Sequence, residues 1–368
     1  VSIRRTAVGL TVLTVILAAC SPSASESPTG SEPAASGSGG ASAADCKVGV
    51  AWATFQEERY GLRDEPGILS ALDAVGAEYI SNDAANSNET QVSNVEALLA
   101  ADIDVLIMNS VDPTAILPAV QQAIDAGIPV IAYDRELELP EALFMTHDNV
   151  GVGRMIATAV TAAQPTGNYA IIKGQEGQTN PEFLRDGMEE VIGPLIAAGD
   201  ITIPAGAEVY TDEWLPDNAQ DNMETILTAN NNDIQAVLSE NDGMAGGVVA
   251  ALTAQGLEGQ VAVGGQDGDI QAINRVALGT QVVSVLKDAE VLGAAAGAAA
   301  LALCDDPDIS HVTGAVQTTS TGGLDTYSVL LDPLPITRDN LQDALDLEWL
   351  TVDELCQDVP SGTVPECP

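Results

Sequence analysis

The feature that most constrains this chain is an alternation. From Lys47 onward, short apolar strand-like runs take turns with helix-like segments on short connections. Strands joined through helices pair in parallel, because a parallel pair needs a crossover where an antiparallel pair needs only a turn. A parallel sheet is covered on both faces, so its strands read as continuous apolar runs. Lys47 to Ala53, Ala77 to Ser81, Val105 to Asn109 and Pro129 to Asp134 read this way. Between them lie a helix from Arg59 to Val75 with Pro66 near its start, and the stripe Val92, Val95, Leu98 and Leu99. A third helix is expected to open at Asp112-Pro113 and close at Gly127.

Leu143 to Asn149 adds a strand, and the pattern restarts. Helices over 150–163, 181–198, 217–229, 243–255 and 269–278 separate strands near Tyr169, Glu208, Ala236, Val261 and Val282. An Ala-rich helix over 288–303 follows. The expected fold is α/β: two similar doubly wound parallel-sheet lobes, joined by a multi-strand hinge, with a ligand cleft between them. The first lobe is assigned 46–148 plus about 282–312, and the second 149–281 plus about 313–345. Residues 346–368 are a Cys-containing tail.

The ends bear on address and redox state. Arg4 and Arg5 precede an apolar run from Ala7 to Ala19, too short for a comfortable membrane span. Residues 1–20 read as a lipoprotein signal peptide, since Leu17-Ala18-Ala19-Cys20 resembles a lipobox with Cys20 as the lipidated residue. Residues 21–45, made of Ser, Pro, Gly, Ala and Glu, read as a disordered tether. The chain is therefore expected to be exported and held by lipid on the outer face of the cell membrane. Cys46, Cys304, Cys356 and Cys367 allow three disulfide connectivities. Cys356 and Cys367 flank a Pro/Gly-rich segment, which favours a local bridge and leaves Cys46 for Cys304.

Lys and Arg number 12 against 54 acidic residues, a formal net charge of −42. That balance rules against binding nucleic acid or an anionic membrane through a basic patch. It also makes each cation conspicuous. In open α/β sheets, ligands bind beyond the carboxyl ends of the strands. Arg59, Arg135, Arg185 and Lys287 fall at or near such ends, as do Asp134, Asn180, Asn241 and Asp267. Carboxylates accept hydroxyl protons, Arg and Lys donate, and amides do both, so the mixture suits a neutral polyol. Phe55, Tyr60 and Trp214 offer flat faces for the C–H side of a sugar ring. No metal site, cofactor loop or hydrolase motif is present in the sequence: His-Glu-x-x-His, Gly-x-Ser-x-Gly and a Gly-Lys-Ser/Thr phosphate loop are all missing.

From Lys47 to about Asn340 the chain resembles the periplasmic sugar-binding proteins of ABC importers, most closely the xylose-binding type. The resemblance is carried by Glu58-Arg59-Tyr60, Ala132-Tyr133-Asp134-Arg135-Glu136, Phe183-Leu184-Arg185, Trp214-Leu215-Pro216, Ser239-Glu240-Asn241-Asp242 and Gly265-Gln266-Asp267, in that order. It implies sugar contacts at Arg59, Asp134, Arg135, Asn180, Arg185, Trp214, Asn241, Asp267 and Lys287. Tyr60 stands where the xylose type has Trp, and Gln178 where it has Asp, so both are expected at the ligand's edge. The resemblance implies a monosaccharide ligand, most closely D-xylose, a permease and its ATPase as partners, a monomer, no cofactor and no catalysis. The alternatives are a sensor presenting sugar to a receptor, a repressor-type sugar domain, which would need a basic headpiece, and a glycosidase.

Overall fold

The computed structural model describes residues 43–368. The expected signal peptide, Cys20 and nearly all of the tether lie outside the described residues. The first sheet takes β1 (Lys47–Trp52), β2 (Glu78–Asp83), β3 (Val105–Met108), β4 (Val130–Tyr133) and β5 (Ala142–His147), with α1 (Glu65–Asp73), α2 (Asn88–Ala100) and α3 (Leu117–Asp125) as crossovers. The β3 run Val-Leu-Ile-Met and the β4 run Val-Ile-Ala-Tyr are buried at every position, as strands covered on both faces require. The expected start of α3 at Asp112 is a correction. Asp112 Oδ1 instead accepts from the Thr114 and Ala115 amides, closing a turn of its own, and α3 begins at Leu117.

The second sheet is built from β6 (Gly167–Lys173), β7 (Ile201–Thr202), β8 (Glu208–Tyr210), β9 (Ala236–Ser239), β10 (Ala262–Asp267) and β11 (Val283–Leu286). Its helices are α4 (Asn149–Ala163), α5 (Asn180–Ala198), α6 (Pro216–Ala229), α7 (Asp242–Ala254) and α8 (Ile270–Leu278). The chain then returns to the first lobe as α9 (Ala289–Asp305), β12 (Val316–Thr319) and β13 (Asp325–Leu331). It ends in the second lobe with β14 (Leu334–Ile336), α10 (Leu341–Asp346) and α11 (Val352–Leu355). Strand order is β12-β13-β5-β4-β3-β1-β2 in one sheet and β14-β11-β10-β9-β6-β7 in the other, with β8 also on β6.

The expected lobe boundaries near 282 and 313 are therefore displaced. Val283–Leu286 pairs in parallel with β10, so it belongs to the second lobe, and the chain crosses only after it. Residues 316–331 belong to the first lobe, because β13 pairs in parallel with β5. Asp148 and Asp288, at two of the crossings, each cap the following helix, accepting from the Gly151 and Val291 amides. Residues 346–368 are not a loose appendage. Trp349, Leu350, Leu355, Val364 and Cys367 pack with Ile273, Val276, Ala277 and Leu286 of the second lobe. Cys46 is bonded to Cys304 and Cys356 to Cys367.

Glycines let helix pairs approach closely. A Cβ at Gly187 of α5 would lie 1.9 Å from Val150 O, and one at Gly153 of α4 would lie 2.0 Å from Leu184 O.

Candidate functional site

Strand ends of both lobes converge on a small, tightly filled pocket lined by Glu57, Arg59, Tyr60, Asp134, Arg135, Asn180, Trp214, Asn241, Gln266, Asp267 and Lys287. Asp134 follows β4 directly, at a φ of +62°, and its side chain is buried. Its Oδ2 accepts from the Tyr60 hydroxyl at 2.7 Å, and its Oδ1 from Arg59 Nη1 at 3.4 Å and Lys287 Nζ at 3.3 Å. Asp267 ends β10 across the cleft, at a φ of +106°. Its Oδ1 accepts from Arg59 Nη1 at 3.3 Å and stands 3.7 Å from Lys287 Nζ. Two buried cations thus each face one carboxylate from either lobe.

Arg59 opens the π-helical turn Tyr60–Asp64. Asp64 fixes its guanidinium bidentately, at 3.0 Å to Nε and 2.8 Å to Nη2, and itself accepts from the Tyr133 hydroxyl. Such a pair leaves Nη1 pointed at the cleft. Arg135 is held similarly, its Nη1 donating to Ser110 O at 2.8 Å and its Nη2 to Glu57 at 2.6 Å. Both side chains are therefore oriented before any ligand arrives, which reduces the ordering cost of binding.

Burial alone would raise the Asp134 pKa, but Arg59 and Lys287 outweigh it and hold the carboxyl well below its ordinary range. Glu57 goes the other way: burial raises it, and Arg135 only partly offsets that. Burial also keeps the Tyr60 hydroxyl protonated, so it remains a donor to Asp134.

On the second lobe, Asn180 donates to Asp134 O at 3.1 Å while its buried Oδ1 has no partner. Gln266 Oε1 is likewise buried without one. Asn241 is an N-cap, accepting from the Met244 amide at 2.8 Å. Trp214 forms a wall and can lie flat over the chain because residue 174 is Gly: a Cβ there would sit 2.0 Å from the indole.

Two expected contacts are corrected. Arg185 is not at the cavity; it pairs with Glu189 of α5 and Glu208 of β8. Asn180 starts α5 facing the cleft, and five residues at 100° each turn position 185 well away from that face. Gln178 is outside the cavity as well. Its Oε1 accepts from Trp214 Nε1 at 2.8 Å and its Nε2 donates to Val111 O at 3.0 Å, so it orients the indole from behind and ties the lobes together. The sequence reading missed Glu57 and Gln266 as wall residues. Gln266 stood beside Asp267 at a strand end, a usable signal; Glu57 lies in a connection with no periodicity to mark it. Among the described residues, the one cluster with metal-like spacing is Cys46, Asp104 and Cys304, and its sulfurs are committed to a disulfide.

A family model described as "Periplasmic binding protein domain" matches residues 48–307. The chain belongs to the periplasmic binding protein family. It is a solute-binding protein, not an enzyme. The D-xylose-binding periplasmic protein of Escherichia coli (strain K12) is 34% identical over 307 residues, covering 83% of this chain and 91% of the relative. A carbohydrate transporter solute-binding protein from Chloroflexus aurantiacus, solved in complex with D-glucose, superposes with a TM-score of 0.76 at 28% identity, over 86% of this chain and 99% of that one. An ABC transporter solute-binding protein from Clostridium phytofermentans with bound β-D-glucose gives 0.75 at 26%, over 84% and 99%. In this periplasmic binding protein the cavity therefore sits between the lobes, at the carboxyl ends of their strands.

Proposed function

We propose that the protein captures a monosaccharide, D-xylose first among the candidates, and delivers it to an ABC-importer permease. The observation that carries this is the cavity itself: Arg59 and Lys287 each bridge Asp134 and Asp267 across the lobes, beside unpaired Asn180 Oδ1 and Gln266 Oε1. A sugar hydroxyl donates one proton and accepts on its lone pairs. It can therefore insert between such a cation and carboxylate and satisfy both. The charged groups balance nearly to zero, which suits a neutral ligand. Trp214 gives the ring's C–H face a flat partner.

Tyr60 is spent on Asp134 and Gln178 on Trp214, so neither departure from the xylose type changes a hydroxyl contact directly. D-xylose is favoured by the relative that is 34% identical; glucose is the competitor, from the two solved structures. Calorimetric titration with D-xylose, D-glucose, D-ribose and D-galactose decides between them. D-xylose is expected to bind tightest, in the micromolar range or below. Tighter glucose binding would replace xylose, and no heat with any sugar would sink the reading.

The anchor at Cys20 is part of the same proposal: a tethered receptor on the outer face of the membrane, near its permease. Palmitate labelling of the full chain tests it, with Cys20→Ala expected to lose the label.

A further inference from the structure

Arg59 and Arg63 are a helical turn apart in the first lobe, and both reach one short stretch of the second. Arg59 reaches Asp267 directly. Arg63 reaches the next residue through the C-terminal segment. Its Nη2 donates to Trp349 O at 2.8 Å, and its guanidinium lies 4.5 Å from the centroid of the Trp349 ring. Trp349 is buried, and its Nε1 donates to Gly268 O at 2.6 Å.

Residues 267 and 268 both have positive φ, +106° and +81°. For Asp267 that is a costly backbone conformation, which persists only where the surroundings impose it. Here they do. Asp242 Oδ2 accepts from the Gly268 and Asp269 amides on the inner side, and Trp349 closes the outer side. The fit is tight: a Cβ on Gly268 would stand 3.2 Å from Trp349 Nε1 and 2.8 Å from Leu286 Cγ. The segment carrying Trp349 is itself secured. Cys356 is bonded to Cys367, and Asn274 of α8 donates to Leu355 O and Gln357 O. Arg63 is braced from its own lobe by Glu290 at 2.5 Å.

We propose that Trp349 is a positioning residue that holds Asp267 toward the ligand, and that Arg63 on Trp349 is a clasp that strengthens lobe closure without touching the sugar. Arg63 belongs to one lobe and Trp349 to the other, so separating the lobes breaks the contact. An interaction present only in the closed form shifts the equilibrium toward it by that interaction's full strength. The affinity for sugar rises accordingly. The C-terminal segment thereby becomes part of the binding apparatus. The inference rests on the sugar-binding reading above.

The test uses the full chain with its disulfides intact. Arg63→Ala removes the clasp at a half-buried position and leaves every cavity residue in place. D-xylose affinity measured by calorimetry is expected to fall about tenfold, a typical range for a partly desolvated cation–aromatic contact with a hydrogen bond. Stopped-flow binding should assign the loss to faster dissociation, with an unchanged melting temperature, and Arg63→Lys should recover part of it. Wild-type affinity in Arg63→Ala overturns the clasp. Trp349→Phe keeps a ring and loses the bond to Gly268. Amide exchange across residues 267–269 should then speed at least fivefold in the unliganded protein, an effect that requires no sugar. Unchanged exchange overturns the positioning role. Were wild-type protein to bind no sugar, the proposed function would fail while the exchange result still decided the role of Trp349.

Discussion

At the scale of the residue, the site is a set of buried charges that need one another. Asp134→Asn leaves Lys287 with Asp267 as its remaining carboxylate, while Arg59 keeps Asp64 and Asp267. Breaking a buried ion pair costs about 3–5 kcal/mol, and the surviving partner places this variant at the low end; urea denaturation measures it. The pH dependence has a definite sign. The folded pKa of Asp134 is depressed, so its contribution is complete above the unfolded value of about 3.9 and drains away as pH falls below it. Wild-type denaturation midpoints should therefore fall between about pH 5 and pH 3 more steeply than those of Asp134→Asn. Asp267→Ala is expected to weaken sugar binding by at least about 2 kcal/mol, because Arg59 and Lys287 would lose their acceptor on the second lobe. An unaltered dissociation constant removes Asp267 from the site. Much of this was legible in the sequence, because cations are scarce and strand ends are easy to find. Helix phase misled for Arg185, which was near the right strand but on the wrong face of α5. Gln178 precedes that helix, and its amide is taken by Trp214 and by Val111 O of the first lobe.

At the scale of the element, the first-lobe and second-lobe βα units stood out in sequence because their central strands, such as β3, β4 and β9, are short buried runs. The return segments did not. β12 is mostly exposed and β13 mixes exposed and buried positions, so neither carries a strong pattern, and β5, which joins β13 to the sheet, lies about 180 residues away. The same holds for Trp349, which follows the last periodic stretch and acquires its role only when α8 folds beneath it. Helix pairing rests on glycine. Gly187→Ala would press a methyl into Val150 O and force α4 from α5, costing about 1–3 kcal/mol in chemical denaturation. Asn180, at the start of α5, would shift with it, so sugar affinity should fall as well.

At the scale of the molecule, the cleft exists because the chain changes lobes repeatedly, after β5, after β11 and after β13. The Cys46–Cys304 disulfide spans 258 residues yet closes entirely within the first lobe, joining the residue before β1 to α9. Replacing both cysteines with Ser should cost about 2–5 kcal/mol. The melting curve should split, with the first lobe unfolding ahead of the second. A wild-type curve would show that the bridge is not needed to hold α9.

The repeated crossing also sets a timetable. The first lobe begins at β1 but cannot finish its sheet until β13 arrives, nearly 300 residues later, and the second waits for β14 beyond that. Loop-closure entropy is spent before such distant pairings return anything, so assembly should be slow. Nearly all of a nascent chain of this design must therefore emerge before either sheet has its full set of strands.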